Sequence, residues 1–499
     1  MTTTSHAPYS ASSGSSLLLA AGVCALAFLW LRRNRNHSYP LPPGPPSLPL
    51  IGNLHYISSK DPWVGISALG RDYGDVIYFH GLGYRVVVLN ALEAINQLLE
   101  KRSDVYSHRP QFVLAGELMG LNQVRIFCLW QRAYTVLTST RATGLMNYGP
   151  EWREHRKLAH VSLNATAVKR YHPLQEDIAA TLCRELLDDP KNFYEHARVA
   201  AGRVVMSVTY GLSLNAGNEY VNQTMEVMSM LSQTIVPAAH LCDILPALKY
   251  LPSWFPFQKY ASKWRARVER DIINMPFEHV KEEMRRGIAR PSFAYNIMSP
   301  GSEKSHTREH CIKWVLGSMF TAGTETTQGV LLTFILAMAR HPEKQRLAQA
   351  ELDALLCKEN RLPLMSDMPK LPYVNALIKE TLRWRPILPF SIGRLTSADD
   401  EYLGYTIPKG TIVVPNLWAI AFAPNDKYGP EEFLPERFLD EKSGGTADPF
   451  SYIFGFGRRI CPGNALGQNS LFIFIASILY SFDISPANSH PKFLSGLIR

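Results

Sequence analysis

The chain predicts a mainly α fold with small β-sheets, built as one large domain behind an N-terminal membrane anchor. Three observations carry that expectation. Apolar residues recur at i, i+3/i+4 spacing, the amphipathic-helix period, over Pro150–Ala167, Gln175–Leu187, Ala261–Arg285, Glu309–Ala339 and Glu343–Leu356. Strand-like runs are few and short: Asp75–Phe79, Arg85–Leu89, Tyr405–Ile407 and Thr411–Val414. Residues 1–31 contain no Asp, Glu, Lys or Arg, and the apolar run LLLAAGVCALAFLWL, Leu17–Leu31, is followed at once by Arg32, Arg33 and Arg35.

The apolar run is short of the roughly 20 residues a full span needs, and the small residues Ser12–Ser16 extend it. A cleaved signal peptide would carry its positive charge ahead of the run. Here the arginines follow it, which places the rest of the chain on the cytosolic side. Residues 1–35 therefore read as anchor and basic flank. Residues 36–54 read as a hinge: Pro40, Pro42, Pro43, Pro45, Pro46 and Pro49 enforce a stiff, extended spacer that holds the body off the membrane. Residues 55–499 read as one large globular domain, with no internal repeat or flexible linker.

The 499 residues are 46% hydrophobic and 19% charged, a globular balance that excludes a disordered chain and a multi-span membrane protein. A net charge of +9 favours an anionic partner, either an acidic protein or a phospholipid surface. No long Lys/Arg block occurs, so nucleic acid is not expected. The cysteines (Cys24, Cys128, Cys183, Cys242, Cys311, Cys357 and Cys461) are scattered, without C-x-x-C or C…H zinc spacing. That speaks against a disulfide framework and against structural zinc, and for a reducing compartment.

The densest chemistry is FGFGRRICPG, Phe454–Gly463. Structural cysteines normally lie in apolar helices or strands. This one sits among glycines, which let a backbone turn tightly against a flat ligand. The adjacent Arg458 and Arg459 favour a thiolate. Pro462 suits the start of an apolar helix over Asn464–Leu479, which places the sulfur near a helix N-terminus. A stabilised thiolate serves as a nucleophile or as an iron ligand. A hydrolytic nucleophile needs a His–acid pair, and no local sequence suggests one.

Phe454, Gly457, Arg459, Cys461 and Gly463 match F-x-x-G-x-R-x-C-x-G in full, and the stretch resembles the haem-binding loop of cytochromes P450. The resemblance implies the cytochrome P450 fold, a single haem-binding domain, haem b (iron protoporphyrin IX) as cofactor, and the Cys461 thiolate as axial iron ligand. Further segments extend it over residues 39–499. In IKETLRWRP, Glu380 and Arg383 share a helical face and by themselves read as a surface ion pair. The resemblance makes them a buried network under the haem, with Arg437 of FLPERF as third member. In MFTAGTETTQGV, mid-helix threonines bend a helix by bonding back to carbonyls. The resemblance opens that helix over the haem, with Thr326 hydrogen-bonding dioxygen and water and Glu325 relaying protons. YGPEWREHRKLAH reads alone as a basic amphipathic helix; the resemblance gives Trp152 and Arg156 to a haem propionate, and Arg394 to another. Ile392-Gly393 stands where the family usually has Pro-His, which puts one propionate hydrogen bond in question.

The wording of these segments is similar to fungal secondary-metabolism members. The implied activity is a haem-thiolate monooxygenase that oxidises an apolar small molecule (terpenoid, steroid, polyketide or aromatic) with dioxygen. Electrons come from NADPH through NADPH–cytochrome P450 reductase, with cytochrome b5 as an alternative donor, at the endoplasmic reticulum membrane. Pocket residues implied by the family are Phe320, Ala322, Leu388, Ile392 and Leu497. The rival readings are a P450-type isomerase or dehydratase, and a haem-binding but inactive product. Two departures motivate the last. VRIFCLWQRAYTVLTSTR, residues 124–141, interrupts the family context and reads as retained intron or as a lengthened loop over the pocket. The chain also stops at Arg499, short of the strand expected to pair with Leu494–Leu497.

Overall fold

The computed structural model describes residues 39–49, 51–57, 60–123, 140–212, 222, 226–227, 230, 234, 240–299, 306–439 and 445–486. The expected anchor at 1–35, most of the anomalous segment 124–141, and Leu497 lie outside them. Among the described residues no helix is long and apolar enough to cross a membrane.

Helix α1 (Pro62–Tyr73) leads into a hairpin of β1 (Val76–Gly81) and β2 (Tyr84–Leu89). Strands β3 (Asn122–Gln123) and β4 (Thr140–Arg141) pair antiparallel, so the chain leaves for and returns from segment 124–139 side by side. Then come α2 (Pro150–Leu163), α3 (His172–Asp188), α4 (Phe193–Tyr210), α5 (Pro256–Arg267), α6 (Met275–Arg285), α7 (His306–Arg340), α8 (Pro342–Leu356) and α9 (Pro372–Trp384). Strands β5 (Arg394–Leu395), β6 (Asp400–Tyr402), β7 (Tyr405–Ile407) and β8 (Ile412–Pro415) precede the last long helix, α10 (Asn464–Ser481). A four-stranded sheet runs β1-β2-β8-β5, with β2 and β8 parallel (Val87 opposite Val413) and β5 antiparallel to β8 (Arg394 opposite Val413).

Several element boundaries follow from single residues. Helix α2 stops at Leu163 rather than Ala167 because Asn164 Oδ1 accepts the Thr166 and Ala167 N–H groups, an Asx turn in place of another helical turn. The expected helix 261–285 is split by a π-helical stretch, Val268–Asn274. Pro276 has no N–H for the Ile272 carbonyl, and the chain widens just before it. Helix α4 was not foreseen. It is buried on nearly every side, from Ala200 and Ala201 to Met206 and Val208, and an all-round apolar helix shows no period.

Helix α7, about 50 Å long at 1.5 Å per residue, is the spine. Its N-terminal half joins a core with α5, α6 and residues 112–121, and its C-terminal half joins one with α3, α8, α9 and α10. Gly323 sets the approach of α4: a Cβ there would lie 2.8 Å from Val205 Cγ2. The threonine-rich turn does not interrupt the helix. Thr324, Thr326 and Thr327 donate to carbonyls four residues back, and α7 runs unbroken through them.

The proline-rich segment does not stand clear of the body. Pro42 and Pro45 are buried, and the Pro40 and Pro43 carbonyls accept the Thr406 and Tyr78 N–H groups. The segment is laid along the sheet from residue 40 onward.

Candidate active site

Between α7, α2, α4 and the loop before α10 lies an apolar cavity. Its floor is the Phe454–Gly463 loop. Cys461 N–H donates to the Phe454 carbonyl at 2.7 Å, which closes the loop on itself. Gly457 makes the tightest turn: its φ is +51, and a Cβ there would meet the Leu99 carbonyl oxygen at 2.5 Å. The Cys461 sulfur faces the cavity. Burial pushes its thiol up, and the Gly463 N–H and the Arg156 guanidinium pull it back. The arginines beside it in sequence do not act on it. Arg458 lies over the Tyr148 ring, and Arg459 turns away to the Ser107 and Met146 carbonyls. The stabilising cation is Arg156 instead, delivered by α2, where its Nη1 donates to the Ile460 carbonyl at 2.7 Å.

One rim of the cavity gathers buried guanidiniums. Arg459 stacks on the Trp152 ring at 4.6 Å, so the two meet directly. Arg394, on β5, donates to the Phe456 carbonyl at 2.9 Å. Arg109 was missed by the sequence reading. It bonds to the carbonyls of Gly144, Ile392 and Gly393, and so occupies the place where a departure from the family pattern had been noted. An arginine before a proline carries no local sign of a site; the fold alone brings it here. None of Arg109, Arg394 and Arg459 forms an ion pair with a carboxylate among the described residues, and Arg459 Nη1 is buried with no hydrogen-bond partner. Burial, then Arg394 and Arg156, pulls Arg459 down to about 9; burial pulls Arg394 to about 10; burial, then Arg459 and Arg394, lowers Arg109 as well. A buried cationic cluster with a spare donor fits a dianionic ligand such as the two propionates of haem b.

Above the floor, Ala322 and Thr326 of α7 face the cavity, as do Leu388 and Ile392. Glu325 is half-buried next to Thr326 but is not part of the lining, and burial pushes its carboxyl up. Phe320 does not reach the cavity. It is fully buried in the core on the other side of α7, with its ring edge-on to Tyr210 at 5.9 Å. It lies two residues before Ala322, which turns it about 200° away around the helix.

Beneath the loop, Glu380, Arg383 and Arg437 meet. Arg383 Nε and Nη2 donate to Glu380 at 2.7 and 2.9 Å, and Arg437 Nε at 3.2 Å. All three are at most 1% exposed, so this is not a surface ion pair.

Fold and cavity together fit a class, helical haem enzymes that act on apolar molecules with dioxygen. The Cytochrome P450 family model matches residues 42–128 and 131–497, with its break inside the anomalous segment. The chain belongs to the cytochrome P450 family, takes haem b, and is a haem-thiolate monooxygenase. It is 37% identical to cytochrome P450 monooxygenase COX2 of Coprinopsis cinerea over 94% of this chain and 87% of that one. It is 35% identical to tryptamine 4-monooxygenase of Psilocybe cyanescens over 95% and 92%. The fold is shared with a zebrafish cytochrome P450 solved with progesterone: TM-score 0.66, 24% identity, 84% of this chain and 92% of that one.

Proposed function

We propose that this monooxygenase oxidises a neutral, apolar small molecule held on the Thr326 side of the cavity, drawing electrons from an NADPH-dependent reductase at the endoplasmic reticulum membrane. One observation carries the reading. Cys461 and Thr326 face each other's side of one apolar cavity, and among the described residues every charged one in its lining is an arginine on the floor or rim. The substrate space itself is walled by Ala201, Val205, Phe293, Met319, Ala322 and Leu388. Among the described residues a cationic amine would find no carboxylate there, so a neutral ligand is favoured.

Haem bound here would supply dioxygen activation; the Cys461 sulfur would hold its iron, and Arg109, Arg156, Arg394, Arg459 and the Trp152 N–H would hold its propionates. The chain's own residues do the rest. Thr326 spends its proton on the Ala322 carbonyl at 3.0 Å, which leaves its oxygen free to accept a hydrogen bond in the cavity. Glu325 keeps a proton more readily than an exposed glutamate, which suits a relay that delivers protons inward through Thr326.

Membrane attachment draws on three features: the apolar run at 17–31, the basic flank after it, and an exposed patch. Leu241, Leu245, Tyr250 and Trp254 protrude, the last two 80% and 67% exposed. The Tyr84 hydroxyl at the β1–β2 hairpin donates to the Asp243 carbonyl, which ties this patch to the sheet along which the proline-rich segment runs. These features support a domain seated on the bilayer beside the expected anchor, and the chain's net charge of +9 suits an acidic reductase.

The test is the ferrous carbon monoxide difference spectrum of the microsomal protein, followed by NADPH-driven product formation with a reductase. The red-shifted Soret band of a thiolate-ligated haem is expected, and Cys461→Ser should abolish it. A wild-type band at the position of a neutral ligand would overturn the assignment of Cys461.

A further inference from the structure

Helix α2 presents Trp152 and Arg156 to the cavity. The adjacent stripe, one residue round, carries Glu151 and His155, four apart and therefore stacked on one side. Helix α7 brings Cys311 against them. One ligand-type atom from each, a carboxylate oxygen, an imidazole nitrogen and a thiol sulfur, lies within 4.8 Å of the other two. His155 and Cys311 are buried and Glu151 is half-buried. The sequence reading looked for metal sites in local cysteine and histidine spacings and so passed over a set split between two distant helices.

The donor types decide the ion. Hard cations such as magnesium and calcium collect oxygen ligands, whereas one imidazole and one thiolate select a borderline or soft divalent ion. Three protein ligands plus water complete a tetrahedral zinc shell. The histidine is already oriented: its Nδ1 lies 2.9 Å from Thr143 Oγ1, so a metal would take Nε2, with the hydroxyl as outer-shell partner. The Thr143 N–H in turn donates to Ser318 Oγ at 3.1 Å, and both residues line the catalytic cavity. The cluster therefore stands one hydrogen bond behind the cavity wall.

We propose that Glu151, His155 and Cys311 form a zinc-type metal site that clamps α2, the carrier of Trp152 and Arg156, to the N-terminal half of α7.

The test uses the haem-loaded full chain, in which haem occupies Cys461 and removes it as a competing thiolate. The protein is stripped with chelator, equilibrated with micromolar zinc, freed of excess, and assayed for zinc per haem and by zinc-edge X-ray absorption. The proposal expects one zinc per haem, with one sulfur at about 2.3 Å and nitrogen or oxygen at about 2.0–2.1 Å. Cys311→Ser should remove the sulfur and weaken binding at least tenfold, while Cys357→Ser, an exposed cysteine elsewhere, leaves both unchanged. If Cys311→Ser loses haem, Glu151→Gln carries the test, with the same tenfold loss expected at unchanged haem content. Less than a tenth of an equivalent of zinc in the wild type would overturn the proposal. So would a zinc shell without sulfur, or zinc binding that neither variant weakens.

Discussion

Arg383 and Arg437 are buried as deeply as Arg109, Arg394 and Arg459, yet the two groups are completed differently. In the first, Glu380 uses both oxygens: it takes Arg383 twice, Arg437, and the Leu434 N–H. The Ala421, Pro430, Gly429 and Glu432 carbonyls absorb remaining donors. The desolvation cost of these ions is met within the protein. In the second, backbone carbonyls orient three guanidiniums without neutralising them, and one donor of Arg459 is left over. Burial and mutual repulsion then pull the group toward losing protons. A closed network is scaffold. An open one, bordering a cavity with a cysteine in its floor, is half of a binding site.

The strongest way to break this comparison is Glu380→Gln. It strips the charge from the closed network and leaves two buried cations uncompensated, a cost of about 3–5 kcal/mol. We expect little folded holoprotein, read as haem per chain and as soluble yield. A variant that folds with normal haem content would mean the network is not what holds the 429–437 loop in place.

Glu325→Gln tests a half-buried carboxyl. It should slow NADPH-driven product formation by about 10²-fold, the order of a lost proton-transfer group, with haem content and the carbon monoxide band intact. Stability should move the other way. The raised carboxyl favours the wild type at low pH, and that advantage fades as pH rises from about 4.3 through the raised value. At neutral pH the variant should therefore melt no lower than wild type. Unchanged turnover would remove Glu325 from the proton path.

Arg459→Gln opens the second group further. One charge-assisted hydrogen bond to a propionate is lost, so haem should transfer to an acceptor protein about tenfold faster. The haem-free form should be no less stable than wild type, since an uncompensated buried cation has gone. A large loss of stability in the haem-free protein would place Arg459 in the scaffold group after all.

Local order made much of this legible. FGFGRRICPG holds its chemistry within ten residues, and WREHR places Trp152 and Arg156 on one helical face. The long helices were readable where one side faces water, as in α3, α8 and most of α2. Helix α4 was hidden because it is buried all round. Phe320 was misplaced because two residues on a helix mean opposite sides, which a motif does not record. Arg109 and the Glu151–His155–Cys311 cluster were invisible for a different reason: nothing near them in sequence shares their purpose, and tertiary packing alone assembles the set.

Arg361 and Asp367 offer the mildest test, because they repeat the closed geometry at the protein's edge. Arg361 Nη1 and Nη2 donate to the two Asp367 oxygens at 2.7 and 3.1 Å, and the Leu364 N–H adds a third bond at 2.9 Å. Asp367 is 1% exposed, but the Arg361 side chain is 28% exposed and keeps water as an alternative partner. Burial alone would raise the Asp367 carboxyl; the Arg361 and Leu364 bonds outweigh it and hold it below the ordinary range. A depressed carboxyl contributes stability above its unfolded value, about 3.9, and loses it as pH falls through the lower folded value. Asp367→Asn should therefore cost about 1.5 kcal/mol at neutral pH, the low end for bonds to a charged group. The gap in melting temperature should close below about pH 4, as the wild-type carboxylate takes up its proton. A gap that persisted undiminished to pH 3 would assign the loss to shape and neutral hydrogen bonding rather than charge. Bidentate pairing at a half-open site would then resemble the carbonyl-only handling of Arg109 more than the closed network around Glu380.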